Sequence, residues 1–283
     1  NVTSAGSWRT GGNLNTARNY LAGSGIETAA LAFGGGTPSV VGNTESYNGS
    51  SWTEVNDLTT ARNSLAGAGT STSSLAFGGD GPTAKTELWN GTNWTEVNDL
   101  NLVRDSLGGA GTDNTNALAF GGSQPPNTAN TETWNGTNWT EVNNLNSPRA
   151  SLAAAGASNT SALAFGGGSP YVAVTESWSG TNWTEVNDLN TARGTLAGTG
   201  IQTAALAFGG ITGNPPLTFT ADTELYNGTN WTEQNNLATS RFGFAGAGTT
   251  TAGLGFGGRQ GPPTVVANTE EWTGAGAPIG AWA

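Results

Sequence analysis

The stretch WNGTNWTEVNDL, residues 89 to 100, decides the fold because the chain repeats it. Near copies begin at Trp134, Trp178 and Tyr226. Short alternating segments on both sides of Asn-Gly predict two strands joined by a tight turn, since Asn and Gly adopt the positive φ angles that such hairpins need. The repetition predicts that each unit of a repeat protein contains one of these hairpins.

The repeated unit extends well beyond the hairpin. It begins with an arginine and a small, apolar segment such as ARNSLAGAG, followed 15 or 16 residues after the arginine by Phe-Gly-Gly and then by Thr-Glu-x-aromatic. In the first five copies a second Trp stands five residues after that aromatic residue and ten before the next arginine. The unit occurs six times, at intervals of 42 to 48 residues.

Each unit predicts four strands and no helix. Segments such as SLAGAG and LAF are short, small or apolar, and followed by glycine, which is typical of strands buried on both faces. Together with the hairpin they make four antiparallel strands. Six units therefore predict an all-β fold, a six-bladed β-propeller of four-stranded antiparallel blades over residues 1–274, with 275–283 as a C-terminal tail or linker.

The two ends of the chain predict how the ring closes. Trp8 precedes Arg18 by ten residues, as the second Trp does in other units, but no Phe-Gly-Gly comes before it. Trp272 lacks the Trp that should follow five residues later. We therefore expect the N-terminal strand around Trp8 to complete the last blade beside Trp272, so that no sheet edge stays open.

The order of these features resembles the kelch repeat: an arginine, an apolar strand, a strand ending in Gly-Gly, a Glu-x-aromatic and a Trp about five residues later. Six matches in register cover about residues 8 to 273. The Asn-Gly-Thr-Asn turn departs from the kelch pattern, which usually has a longer Pro- or Asp-containing connection. The near-identical, Gly/Thr/Asn-rich copies also resemble kelch-like segments of tail-fibre-like virion proteins of marine phages.

Composition argues against several classes of partner and site. The net charge is −11 without a basic stripe, so we expect neither nucleic acid nor membrane insertion. The chain has no Cys and no His, which removes thiolate sites and the commonest metal ligand. It also lacks a dense Asp-x-Asp-x-Gly motif for calcium. We predict no metal and no cofactor.

Each unit carries one repeat arginine and one glutamate in Thr-Glu-x-aromatic, and these two residues could form an ion pair. An unpaired, half-buried charge is costly, so we predict six structural ion pairs between strands. The alternative is that the arginines ring the mouth of a central channel and bind an anion. The arginines are Arg18, Arg62, Arg104, Arg149, Arg193 and Arg241, and the glutamates are Glu45, Glu87, Glu132, Glu176, Glu224 and Glu270.

Length differences between copies concentrate in the loop between the second and third strands. From the Phe of Phe-Gly-Gly to the next aromatic the spacing varies from 12 to 18 residues. These loops hold nine of the eleven prolines, which stiffen them and lower the entropy cost of binding. Neutral drift in tolerant loops would also explain the variation. If the loops bind a ligand, the predicted contacts are Lys85, Tyr171, Phe219, Asp222 and Arg259.

We interpret the chain as a non-enzymatic recognition or structural module of an extracellular assembly, such as a virion fibre or surface appendage. Its partner would be a cell-surface glycan or protein, with neighbouring subunits of a particle as further partners. Two alternatives remain. One is a carbohydrate-active, glycosidase-like enzyme that uses two close off-pattern carboxylates, with Asp80, Asp113 and Asp222 as candidates. The other is a purely architectural spacer.

Overall fold

The computed structural model describes residues 5–81, 83–213, 217–261 and 264–275. All regular secondary structure in these ranges is β. None of the described segments is a helix long and apolar enough to cross a membrane. The predicted tail from residue 276 onward lies outside the described residues.

The strands are short, and most have four or five residues. The first half of the chain contains β1 Ser7–Thr10, β2 Ala22–Ile26, β3 Ala29–Phe33, β4 Gly36–Thr37, β5 Ser39–Val40, β6 Thr44–Tyr47, β7 Trp52–Val55, β8 Ala66–Gly69, β9 Ser74–Phe77, β10 Thr86–Trp89, β11 Trp94–Val97, β12 Gly108–Asp113, β13 Asn116–Phe120, β14 Thr131–Trp134 and β15 Trp139–Val142. The second half contains β16 Ala153–Ser158, β17 Ser161–Phe165, β18 Thr175–Trp178, β19 Trp183–Val186, β20 Ala197–Ile201, β21 Ala204–Phe208, β22 Ile211–Thr212, β23 Thr218–Phe219, β24 Thr223–Tyr226, β25 Trp231–Glu233, β26 Ala245–Gly248, β27 Ala252–Phe256 and β28 Thr269–Thr273.

The strands form six antiparallel, four-stranded sheets, one for each repeat. From the inside outward, blade 1 is β2, β3, β6, β7; blade 2 is β8 to β11; blade 3 is β12 to β15; blade 4 is β16 to β19; blade 5 is β20, β21, β24, β25; and blade 6 is β26, β27, β28, β1. The remaining strands make two small ribbons, β4–β5 and β22–β23, in the variable loops of blades 1 and 5. The predicted all-β, six-bladed propeller is confirmed.

The N-terminal strand closes the ring as predicted. Strand β1 pairs with β28, with Trp8 opposite Trp272. The Trp8 indole N–H donates to the Thr223 hydroxyl of blade 5 at 3.0 Å. In each of the other five blades the outer-strand Trp donates in the same way to a Thr of the preceding blade. Trp8 therefore occupies the position of the sixth outer-strand Trp.

Aromatic contacts between neighbouring blades build the core. The ring of Phe33 in blade 1 lies 4.9 Å from Trp94 in blade 2, and Phe208 in blade 5 lies 4.8 Å from Trp8 in blade 6. Such large buried rings dominate the packing energy. The inner strands carry small residues because six of them converge on the axis. A Cβ at Gly67 would lie 3.0 Å from the Gly23 carbonyl of the neighbouring inner strand and 2.6 Å from Phe33 Cζ.

The seam between the two chain ends differs from the other strand pairs. At the position where blade 2 places Leu88 opposite Thr95, blade 6 places Glu271 opposite Arg9. One Glu271 oxygen lies 2.5 Å from the Arg9 guanidinium, and the other accepts a hydrogen bond from the buried Tyr47 hydroxyl at 2.5 Å. Burial raises the pKa of Tyr47, and this hydrogen bond raises it further. The seam thus has an ionic link at a position where blade 2 pairs a leucine with a threonine.

Candidate functional site

The six repeat arginines are enclosed in the blades. Each contacts the glutamate of its own repeat: Arg18–Glu45, Arg62–Glu87, Arg104–Glu132, Arg149–Glu176, Arg193–Glu224 and Arg241–Glu270. The arginine side chains are 0 to 1% exposed. Burial lowers the pKa of each arginine, and the facing glutamate raises it. These guanidinium groups are therefore not presented to an anion in the channel.

Carbonyl groups occupy much of the remaining donor capacity of these arginines. Arg104, for example, donates to the carbonyl of Gly121 at 3.0 Å and to those of Ala119 and Asn130. The second oxygen of the facing Glu132 accepts the backbone N–H of Asn101 at 2.7 Å. Each pair thus ties a blade connector to the second and third strands of the following blade, which is a structural role.

A closed ring of backbone hydrogen bonds lies at the start of the six inner strands. It is formed by the residue two positions after each repeat arginine: Tyr20, Ser64, Ser106, Ser151, Thr195 and Gly243. Each N–H donates to the carbonyl of the preceding member, at 2.6 to 3.0 Å, and Tyr20 closes the circle by donating to Gly243. The five non-glycine members have φ of 50 to 56°, a left-handed conformation that costs about 1–2 kcal/mol per residue. The ring surrounds a cavity of about 110 Å³.

The variable loops share a surface with this ring. Antiparallel bridges join Asn19 to Gly36 in blade 1 and Phe242 to Arg259 in blade 6. In each case the residue after a repeat arginine pairs with the residue after Phe-Gly-Gly. We call this surface the connector face, consisting of the two residues after each repeat arginine and the six variable loops.

Three of the five predicted ligand contacts lie in one sector of the connector face. Phe219 stacks on Phe242, with ring centres 4.7 Å apart and planes 18° apart. The Arg259 guanidinium carbon lies 6.0 Å from the centre of the same Phe242 ring. Tyr171 covers Gly194, where an added Cβ would lie 2.4 Å from Tyr171 Cδ1. The structure therefore places Tyr171, Phe219 and Arg259 on the connectors that enter blades 5 and 6.

Lys85 and Asp222 lie elsewhere. Each directly precedes the Thr of its blade's third strand, and its carbonyl accepts a hydrogen bond from the repeat arginine. The Lys85 ammonium contacts Glu96 on the outer strand, and this hydrogen bond raises the pKa of Lys85. The Asp222 carboxylate accepts a hydrogen bond from the Asn236 side chain at 3.1 Å. These two side chains belong to the outer parts of blades 2 and 5 and do not meet Arg259.

A cleft of about 510 Å³ opens between the first and last blades. Its lining consists of Asn19, Tyr20, Asn63, Arg259, Val265 and residues 36–40. The Tyr20 ring meets Phe242 edge-on, with ring centres 6.4 Å apart. The carboxamides of Asn19 and Asn63 lie beside Gly36 in this lining. A Cβ at Gly36 would lie 3.5 to 3.6 Å from them. We call this space the seam cleft.

Arg259 gives the seam cleft an uncompensated positive charge. The chain has nine Lys and Arg residues, and eight of them lie within 4.0 Å of a carboxylate. Arg259 is the exception within the described ranges. Its buried Nε has no hydrogen-bond partner, which is also true of the six repeat arginines. Burial raises the pKa of the neighbouring Tyr20, and the charge of Arg259 lowers it. A guanidinium and a phenol therefore share this cleft.

Four residues of this sector escaped the sequence analysis: Asn19, Tyr20, Asn63 and Phe242. Asn19, Asn63 and Phe242 are each the first residue after a repeat arginine, and Tyr20 is the second. These two positions differ in every copy: Asn-Tyr, Asn-Ser, Asp-Ser, Ala-Ser, Gly-Thr and Phe-Gly. Variation next to a constant arginine was the signal that could have identified them.

The three off-pattern carboxylates do not converge. Asp80 is exposed in the variable loop of blade 2. Asp113 ends β12 and accepts hydrogen bonds from Thr115 in the turn at the opposite end of the inner strand. Asp222 lies on the outer part of blade 5. Across the described part of the chain, no group of three or more Asp, Glu, His or Cys side chains is arranged to hold a metal ion.

Comparison with known proteins supports the fold. No protein-family model and no curated protein matches the chain. Among solved structures it is similar to the structure of YjhT, with a TM-score of 0.73 and 11% sequence identity over 91% of this chain and 95% of that one. At this identity the similarity shows a shared propeller architecture and nothing about activity.

Proposed function

We propose that the chain is a non-enzymatic recognition module, a kelch-type propeller displayed on an extracellular assembly such as a virion fibre or surface appendage. It binds a cell-surface glycan through the seam cleft. The observation that carries this proposal is the cleft itself, in which Tyr20, Arg259 and the asparagines Asn19 and Asn63 line one concave space.

The chemistry of the lining suits a sugar. A sugar ring offers an apolar C–H face, which packs on an aromatic plane, and hydroxyls, which pair with amide and guanidinium groups. Tyr20 supplies the plane, and Asn19 and Asn63 supply donors and acceptors. The short ribbon β4–β5, with Pro38 at its turn, forms one wall in a preordered conformation, which lowers the entropy cost of binding.

The glycosidase alternative has less support. Retaining and inverting glycosidases place two carboxyl groups on either side of the scissile bond. The residues that line the seam cleft include no Asp or Glu. A spacer role would not require the cleft, although contacts with neighbouring subunits through other surfaces are compatible with recognition.

Replacing Tyr20 tests the proposal. Tyr20→Ser gives the first connector the residue that Ser64, Ser106 and Ser151 supply in blades 2 to 4, so the ring of hydrogen bonds should stay intact. We expect the parent chain to bind a defined set of sugars on a glycan array and the variant to lose about fivefold or more in affinity, because stacking on an aromatic plane contributes about 1 kcal/mol or more.

Thr195→Ser is the matched control, because it changes the same ring position on the connector into blade 5. It should bind like the parent. Absence of glycan binding by the folded parent, together with capture of a purified surface protein that Tyr20→Ser abolishes, would contradict the glycan proposal and assign the cleft to a protein partner.

A further inference from the structure

We infer that the seam cleft binds saccharides carrying an anionic group, a carboxylate or a sulfate ester, and that Arg259 holds this group. The inference rests on the proposed glycan recognition and adds the chemical class of the sugar. It starts from Arg259, whose charge, alone among the described Lys and Arg side chains, is not paired with a carboxylate of the protein.

The position of Arg259 in the repeat shows that its charge is particular to blade 6. The residue after Phe-Gly-Gly is Gly36, Asp80, Ser123, Gly168 or Ile211 in the other blades, none of them cationic. The fold therefore does not need a cation there. The six repeat arginines, which the fold does need, are each paired with a glutamate.

The surroundings of Arg259 hold it in place without satisfying its charge. Its backbone N–H donates to the Phe242 carbonyl at 2.9 Å, and its own carbonyl accepts the Phe242 N–H at 3.1 Å. The Phe242 ring lies beside the guanidinium and is itself stacked on Phe219. An aromatic contact of this kind orients a guanidinium while its N–H groups remain available as donors.

An oxyanion is the complement of such a group. A guanidinium offers two parallel N–H donors that match the two oxygens of a carboxylate or of a sulfate ester. The protein as a whole, with a net charge of −11, repels anions at long range. Selectivity for an anion must therefore arise locally, in a cleft that has Arg259 and no carboxylate in its lining.

The test uses two pairs of sugars in which one member carries anionic groups and its counterpart does not. Isothermal titration of the full chain compares a galacturonate tetrasaccharide with its methyl ester, and a 6-sulfated galactose tetrasaccharide with its unsulfated form. We expect at least one charged member to bind about tenfold or more tightly than its neutral counterpart, as a charged hydrogen bond would give. The pair that shows the difference identifies the anionic group.

Two variants locate the effect. Arg259→Ser, which introduces the residue that Ser123 supplies in blade 3, should abolish the preference, so that the charged and neutral members bind this variant with equal affinity. Lys85→Gln removes one positive charge from the outer part of blade 2, and should leave the preference unchanged.

The outcomes separate the inference from the proposed function. Equal binding of charged and neutral members, with both still weakened by Tyr20→Ser, overturns the anion inference and leaves glycan recognition standing. If Lys85→Gln loses the preference for the charged sugar as fully as Arg259→Ser does, the inference is also overturned. The preference would then depend on the net charge of the protein and not on Arg259. Binding that Tyr20→Ser leaves unchanged contradicts glycan recognition in the cleft itself.

Discussion

The six repeat arginines and Arg259 lie near the same face of the ring in opposite surroundings. Each repeat arginine is 0 to 1% exposed and contacts a glutamate, and its terminal N–H groups also donate to backbone carbonyls. Arg259 lies in an open cleft with no carboxylate within 4.0 Å in the described part of the chain. The difference teaches that the arginine repeated in every blade serves the fold, whereas Arg259, which occurs in blade 6 alone, is not neutralised by a described carboxylate.

The largest expected effect comes from breaking a repeat pair. Arg104→Leu leaves the Glu132 carboxylate, 1% exposed, without its cation, so we expect the free energy of unfolding to fall by about 3–5 kcal/mol. Urea denaturation measures this. Arg259→Ser should change the same quantity by less than about 0.5 kcal/mol, because no contact with a carboxylate is lost.

A double variant distinguishes the loss of a partner from the loss of packing. Arg104→Leu combined with Glu132→Leu removes both charges and should recover part of the stability, because no carboxylate is then stranded. If Arg104→Leu and Arg259→Ser destabilise the chain equally, the distinction between the two kinds of arginine is wrong.

An intermediate effect is expected at the seam. Glu271→Leu gives blade 6 the residue that Leu88 and Leu225 supply at the same position. The buried Tyr47 hydroxyl then loses its acceptor, which should cost about 1–3 kcal/mol. Hydrogen exchange of the amides in β1 should accelerate more than that of the amides in β11.

The matched control at the seam position is Ser177→Leu in blade 4, where no arginine stands opposite. It should leave amide exchange in the neighbouring outer strand close to that of the parent. Unchanged exchange of β1 in Glu271→Leu would show that the ionic link does not hold the chain ends together.

The smallest expected effect concerns Asp105, the residue after Arg104. Burial raises the pKa of its carboxyl, as does the nearby Asp80, while a hydrogen bond with Ser106 lowers it. Since the folded-state pKa is raised, the stability contributed by the protonated form is lost as pH rises through that pKa. Asp105→Asn, which introduces the residue of Asn19 and Asn63, should therefore stabilise the chain by about 0.5 kcal/mol at pH 7.

Thermal unfolding at acidic and neutral pH checks the sign. The gain from Asp105→Asn should disappear under acidic conditions, where Asp105 itself is protonated. A gain of equal size at both pH values would exclude titration of Asp105 as the cause.

The fold was largely predictable because its signals are local and repeated. The spacing of ten residues between Trp8 and Arg18 was enough to predict the strand that closes the ring. The candidate site was predictable only in part. Tyr171, Phe219 and Arg259 stood out as departures from the repeat. Tyr20 and Phe242 also vary between copies, but they lie in a segment of nearly constant length, where no insertion marks them.

Lys85 and Asp222 show the limit of reasoning from loop membership. Both lie in variable loops, yet both directly precede a third strand, and side chains alternate in direction at a strand. The structure pairs Lys85 with Glu96 and Asp222 with Asn236 on the outer side of their blades. The side chain of a loop residue can point to the connector face or to the outer edge of the blade. The direction depends on the backbone angles at the end of the loop, which composition and spacing do not reveal.

The sequence by itself determined the number, order and strand content of the blades, because strands and turns depend on neighbouring residues and on a period that the chain repeats six times. Only the tertiary structure decided that Tyr20 and Arg259 share a cleft. Ring closure brings the first blade against the last regardless of their separation along the chain. The cleft between them arises from how the loops of those two blades pack, which no local pattern encodes.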